Sequence, residues 1–503
     1  MTAVGAEPDV QHPTATLAAW ASSLRYQDIP EATVGFASSQ VISTLAAIRA
    51  SLAHPLGRRL TTAFGAPLQA DPKQSAYVLA GLANCLDFDD VSYVGHLSVS
   101  SVTAAIAYSA ELRLTGADLL TAVIAGNECA GRLTAATILG PFFRGQTATH
   151  CHLMGAAAAV LRARGAEAGE WISALGLALG MQPTPLHRAV LGGELKMLTA
   201  GAPVRMALDA CDAARAGLAG APEILGGAGG LLAQLSTIEL PDAVVAGLGR
   251  RWHSETLTFK TFPGSAYSMA AWECAQRLHR RLGRVDPAAV RKVTVHGSLL
   301  TWMLDHKVRE YLCGADTSVT AATFSVGYGV ATLLRTGTLG PDDFTPGALA
   351  EDARWELAAK VEVEHDLALS ERMVRATSPL GQTIRQAGRR AAAWPDLAAW
   401  AGDDIVARIA ELGPPEETFE AATMAIGARM TVELTDGSVL AEDCEQPIGM
   451  SGPATRRDHP EIVGRKFLAT GGSPAVLAEL RRLADQDGER TVELLCDALN
   501  DPR

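Results

Sequence analysis

The 503-residue sequence contains no CxxC pair; its eight cysteines, at 85, 129, 151, 211, 274, 313, 444 and 496, stand singly. That scatter argues against a zinc knuckle or a disulfide framework and for reduced thiols in a cytosolic enzyme, most of them small core residues. A basic excess is missing too. Lys plus Arg total 43 against 55 Asp plus Glu, a formal charge of −12, which disfavours a general phosphate-backbone binder and makes nucleic acid an unexpected partner. The opening "MTAVGAEPDVQHPTATLAAW" lacks the basic start and apolar core of an export signal. The uncharged run from Val91 to Ala110 is interrupted by Ser, Gly and His and reads poorly as a membrane span. A cytoplasmic protein without a membrane partner is expected. "GGAGG" at 226–230 lacks the GK[ST] ending of a phosphate loop and reads as a turn, and no strict repeat is visible. Lysine is scarce: seven in all, none between Lys73 and Lys196.

What is present is material for an interior. Hydrophobic residues make up 48% and charged residues 19%, and the length suggests about two to four structural units. From Thr14 to about Leu235 the apolar residues recur at three- and four-residue steps, as in "GADLLTAVIAGNECAGRL", which predicts packed Ala-rich helices whose backbones approach closely. Within that segment Glu128 and Arg132 are spaced as a structural helix pair. Pro263 and Gly264 then break the chain, "VRKVTVHGSLL" and "KVEVEHD" alternate as strands, and "ARMTVELTDGSVLAEDC" reads as strand, Asp-Gly turn and strand. The expected fold is mainly α with a smaller α+β part holding a short antiparallel sheet. Its expected units are a helical domain over 1–265, an α+β domain over 266–446 and a C-terminal helical segment, 447–503, returning to the first.

Chemistry concentrates in "LANCLDFDDVSYVGHLSVSS", residues 82–101, which gathers Asp87, Asp89, Asp90 and His96. An imidazole can exchange a proton near neutral pH, and carboxylates can hold a helix end or orient polar groups. Mutual repulsion disfavours burying all three carboxylates ionised, so at least one is expected at a helix end or the surface. Lys196, isolated in "GELKML", suits a substrate carboxylate or a developing enolate charge. The plain alternatives are a helix lysine paired with Glu194 and a loop histidine bonded to backbone.

These segments, with "RRWHSETLTFKTFP", "TAATFSVGYGVA" and "VELTDGS", occur in the order of the MmgE/PrpD family of 2-methylcitrate dehydratases, cis-aconitate decarboxylases and iminodisuccinate epimerases, which the chain resembles over most of its length. The resemblance implies a large all-helical domain, a smaller lid domain, a cleft between them, a homodimer and no organic cofactor. It places Asp87, His96 and Lys196 at the active site. Two departures stand out. Where the family has "GxHPT", this chain has "RGQTATHCHLMGAAAA", with Gln146 and Thr147 at the His-Pro positions and His150 and His152 one turn on. In "FPGSAYSMAAW" Met269 replaces an expected histidine, with Tyr267 and Ser268 nearby. His150, His152 and Tyr267 are therefore the reserve catalytic candidates, and Gln146, Ser268, Lys260 and Tyr328 the expected substrate contacts. A metal held by His150, Cys151 and His152 ranks below a catalytic or structural role, because three adjacent residues do not complete a coordination set. The expected activity is a cofactor-independent lyase acting on a small carboxylated substrate. The alternatives are an epimerase or isomerase on the same scaffold, or a catalytically reduced binding protein.

Overall fold

The computed structural model describes residues 10–92, 95–141, 144–378, 380–393, 409 and 411–500. The termini of the first and last expected units and residues 394–408 of the middle one lie outside the described residues. The fold is mainly α with a smaller α+β part.

Helices Ser98–Leu112, Gly116–Thr137 and Thr149–Ala163 pack side by side at the centre of the helical part, with Pro72–Asn84 and Leu198–Arg215 against them. Small residues permit this. A Cβ at Gly126 would lie 2.8 Å from Gly155 O, and one at Gly155 would lie 2.5 Å from Ser100 Oγ, so these backbones approach closer than any side chain allows. The Gly116–Thr137 helix starts on a reciprocal capping box between Thr115 and Asp118. Helix Pro453–Ala469 lies along Glu31–Ala53, and Gly488–Leu499 touches Ser98–Leu112. No described helix is long and apolar enough to cross a membrane.

Two sheets are present among the described residues. A two-residue antiparallel pair joins β1 (Asp90–Val91) to β2 (Thr258–Phe259). A four-stranded sheet has the order β4-β3-β5-β6, where β3 is Val290–Gly297, β4 Val361–His365, β5 Ala428–Leu434 and β6 Val439–Cys444. The Asp436-Gly437 turn closes the β5–β6 hairpin, with Gly437 at φ 92°. The sheet is mixed, not wholly antiparallel: β4 pairs parallel to β3, Val293 opposite Val361. The long helical connection between them is the physical reason, since a parallel return needs a crossover that no hairpin provides. Alternation along β3 and β5 buries Val293, Val295, Met430 and Val432, and helix Met269–Leu282 covers β5 and β6. One hydrophobic core runs from the N-terminal helices into this sheet.

Candidate active site

The helix Pro72–Asn84 begins with Pro72 and an Asp71 cap that accepts from Lys73 N. Its other end founds the site. Terminal helix carbonyls lack intrahelical donors and carry partial negative charge, which favours cations there. Asn84 clamps Lys196 twice: its Nδ2 donates to Lys196 O at 3.0 Å, and Lys196 Nζ donates to Asn84 Oδ1 at 2.6 Å. Asp87 then turns the chain at φ 54°, a left-handed conformation that costs a residue with a Cβ about 1–2 kcal/mol. Its buried carbonyl accepts from Lys260 Nζ at 3.0 Å and Gly264 N at 3.1 Å. Glycine is required at 264, where φ is 116° and a Cβ would lie 2.3 Å from Thr323 O. The β1–β2 pairing sets Asp90 opposite Phe259, which brings the next residue, Lys260, level with Asp89.

The charges converge from these segments. Asp87 Oδ1 lies 2.9 Å from Lys196 Nζ, 3.0 Å from Lys260 Nζ and 3.5 Å from His96 Nε2. Asp89 Oδ2 lies 2.7 Å from His96 Nδ1, and its Oδ1 3.8 Å from Lys260 Nζ. Burial pushes both carboxyl groups upward, but the neighbouring cations win. Lys196, Lys260 and His96 hold Asp87 well below the usual carboxylate range, and His96 with Lys260 hold Asp89 below it. Asp90 moves the other way: burial and the Asp89 charge raise it, against hydrogen bonds from Ser98 and Gln40. Of the two places expected for at least one carboxylate, a helix end or the surface, the structure shows the helix end: Asp90 accepts from Ser98 N and Oγ, and none of the three reaches the surface. All three are buried; Asp87 and Asp89 are lowered by their partners, and Asp90, at the first turn of Ser98–Leu112, is raised. His96 Nδ1 faces Asp89 Oδ2, and its Nε2 faces Asp87 and a cavity.

The cavity is walled on one side by the helical part and on the other by residues 260–324. Asp87, His96, His152, Lys196, Lys260 and Tyr267 line it together. Burial, then the Asp87 charge, raises the Tyr267 phenol, which stays protonated and able to donate. His152 is lowered to about 3, chiefly by burial, and its buried Nδ1 has no hydrogen-bond partner among the described residues. The alternative of a Lys196–Glu194 pair is not realised, since Glu194 pairs with Arg59 at 3.0 Å.

Four expected site residues stand elsewhere. His150, two positions from His152 and so on the opposite side of the helix, faces Thr137 Oγ1 at 2.8 Å. Gln146 is not part of the cavity wall: its backbone bridges to Leu186, while the next two residues, Thr147 and Ala148, line the cavity. Ser268 is buried outside the lining, and the serine that lines the cavity is Ser265, which caps the turn containing Tyr267. Tyr328 donates to Asp343 O at 2.6 Å and packs on Phe344 and Trp355 as a core aromatic. Met269 is fully buried away from the lining. Unforeseen members are Asn84, Thr147, His187 and Lys307. Burial, with help from Lys307, lowers His187 to about 4; burial also lowers Lys307.

Asp87, Asp89 and His96 offer ligand atoms within 4.8 Å of one another, close enough for a metal ion. The donor set does not suit one. Two lysine ammoniums already stand within 3.0 Å of Asp87 Oδ1, where a divalent cation would meet both positive charges. The His150, Cys151, His152 triplet fails differently, because the two imidazoles diverge and burial pushes the Cys151 thiol up to about 12.

Fold and site together define a mainly helical protein with an acid–base and lysine cluster buried at a helix end. The chain belongs to the MmgE/PrpD family: the MmgE/PrpD N-terminal domain matches residues 15–242 and the MmgE/PrpD C-terminal domain matches residues 262–394. The family is dehydratase- or lyase-like, and its members are generally enzymes. A search of the curated proteins found no match.

Proposed function

We propose that the protein is a cofactor-independent lyase that removes water or carbon dioxide from a small carboxylated substrate by acid–base proton transfer. The observation that carries the reading is the Asp89–His96 pair, with His96 Nε2 facing a cavity in which Lys196 and Lys260 flank Asp87. Asp89 fixes the imidazole and stabilises the imidazolium that forms. Nε2 takes a proton from the carbon beside a substrate carboxylate, leaving an electron pair that delocalises into that carboxylate. Lys196 and Lys260 offset the growing negative charge, in surroundings dry enough for ammoniums to act strongly. In dehydration the pair expels hydroxide from the neighbouring carbon, protonated to water by the Tyr267 phenol or the His96 imidazolium; in decarboxylation no proton is abstracted first, the bond to the departing carbon dioxide breaks with its electrons left on carbon, the lysines offset that charge through an adjoining carboxylate, and the His96 imidazolium or the Tyr267 phenol protonates the carbon. Asp87, paired with both lysines, holds them in place.

A panel of di- and tricarboxylic acids incubated in deuterated water tests this. Net product with a new double bond supports lyase chemistry, and deuterium in inverted or unconsumed substrate would assign epimerisation to the same groups. Neither turnover nor exchange with any acid, together with tight binding unchanged by His96→Ala, would assign a binding protein instead. The reading includes a homodimer formed through the helical part. Light scattering that shows a fully active monomer over a wide concentration range would remove that element.

A further inference from the structure

Lys466 lies on helix Pro453–Ala469, beyond the last residue matched by either family domain, and takes no part in the chemistry above. Its side chain is buried where this helix meets Glu31–Ala53. Nζ donates to Ser43 Oγ at 2.9 Å and to the carbonyl of Phe88, and stands 4.1 Å from the centre of the Phe88 ring. The preceding carbonyl, that of Asp87, is the one held by Lys260 and Gly264. Two consecutive carbonyls of the left-handed turn are therefore each bound by a buried ammonium. Lys260 comes from the cavity wall, whereas Lys466 does not line the cavity.

A neutral donor would satisfy one carbonyl at a lower desolvation cost. An ammonium adds charge. The ionisable groups that act on Lys466 are Asp89 and Asp90, which favour its charged form, and Lys260, which opposes it; burial outweighs all three and lowers Lys466 to about 7. The peptide it grips joins Asp87, which holds Lys196, to Asp89, which holds His96.

We propose that Lys466 is a positioning residue: it fixes the Asp87–Phe88–Asp89 backbone so that both carboxylates face Lys196 and His96, and its charge offsets the adjoining Asp89 and Asp90. This deepens the acid–base reading of the site and rests on it.

The test compares Lys466→Met, Lys466→Gln and Lys466→Arg in the full chain. Glutamine keeps a donor for the Phe88 carbonyl without the charge, and arginine keeps the charge. The first readout needs no substrate: the low-field proton resonance of the His96–Asp89 hydrogen bond, assigned by its disappearance in His96→Ala. It is expected to move or exchange away in Lys466→Met and Lys466→Gln and to return in Lys466→Arg. Once a substrate is in hand, kcat should fall about tenfold or more with KM little changed, and the acid limb of the rate profile should move up by about half a pH unit, because loss of a cation favours protonated partners. A lowered melting temperature with an unchanged resonance and unchanged kcat would make Lys466 merely structural and overturn the proposal. If Lys466→Met does not fold, an unchanged resonance in folded Lys466→Gln overturns it equally. A shifted resonance in a protein that turns over no acid supports the positioning role while the lyase reading alone fails.

Discussion

Two clusters of buried charge in this molecule differ in what their charges touch. Glu128 accepts from His253 N and Ser254 N, both at 2.9 Å, and from Ser254 Oγ at 3.0 Å, while Arg132 donates to the carbonyls of Val244, Ala246, Gly247 and Arg251. These charges are absorbed by backbone, and neither residue lines the cavity of the candidate site. Around Asp87, by contrast, charge meets charge, and His96, Lys196 and Lys260 all open on that cavity. Burial of charge therefore does not distinguish structure from chemistry; the free space beside it does.

The largest expected effect breaks the sealed cluster. Arg132→Met should cost about 3–5 kcal/mol of stability, since it leaves a buried carboxylate without its cation and takes the guanidinium from the carbonyls of Val244, Ala246 and Arg251, while that of Gly247 keeps Arg250 N and Arg251 N. Calorimetry checks it, and the molecules that remain folded should keep their kcat. In the open cluster the signs reverse. Lys196→Met leaves Asp87 paired with Lys260 at 3.0 Å, so the melting temperature should change little while kcat falls by about 10²–10³. A folded Lys196→Met enzyme with wild-type kcat would remove that lysine from the chemistry.

The same contrast explains what the sequence disclosed. Glu128 and Arg132 are four residues apart on one helix, and their pairing is legible from spacing. The helices and the β5–β6 hairpin were equally local signals. Asp87, Lys196 and Lys260 come from three distant segments, and family resemblance, not spacing, drew the first two together. The parallel placement of β4 depended on a crossover path that alternation does not encode. Gln146 and Ser268 were misplaced because register within a turn decides which neighbour faces the cavity, as Thr147 and Ser265 show. One overlooked signal was present: in a chain with seven lysines, Lys196, Lys260 and Lys466 are all buried around residues 87–90. Scarcity had flagged only the first.

Two further cavity residues sharpen the comparison. Lys307 and His187 line the same cavity, in which Asp87 is the one carboxylate among the described lining residues, so a second anionic group on the substrate is expected beside them. Lys307→Met should raise KM about 10–100-fold, the loss of one hydrogen bond to a charged group, with kcat within a few-fold. An unchanged KM for every dicarboxylate turned over would confine recognition to Lys196 and Lys260.

The smallest effect separates two histidines on one helix, His150 in the sealed interior and His152 on the cavity. Burial lowers them to about 4 and about 3 from an ordinary 6.5, so between these limits the unfolded chain binds protons that the folded chain refuses. Stability then rises with pH: each contribution is fully present above about 6.5 and drains away as pH falls toward the folded value. Asp87 and Asp89, held below 3.8, release their share only at lower pH, which leaves the interval from 6.5 to 4 to the histidines. Asp90 and Glu128, raised by burial, act in the opposite sense but equally in wild type and variant. The difference between a His→Gln variant and wild type therefore isolates one imidazole, and each variant should flatten the acid decline by about 1–2 kcal/mol near pH 5. Activity divides the pair. His150→Gln should keep its rate, because the ring meets Thr137, whereas His152→Gln should lose about tenfold or more if the ring serves proton transfer. Stable and fully active variants at both positions would leave His96 as the single catalytic histidine and return His152 to the cavity wall as a neutral hydrogen-bonding surface.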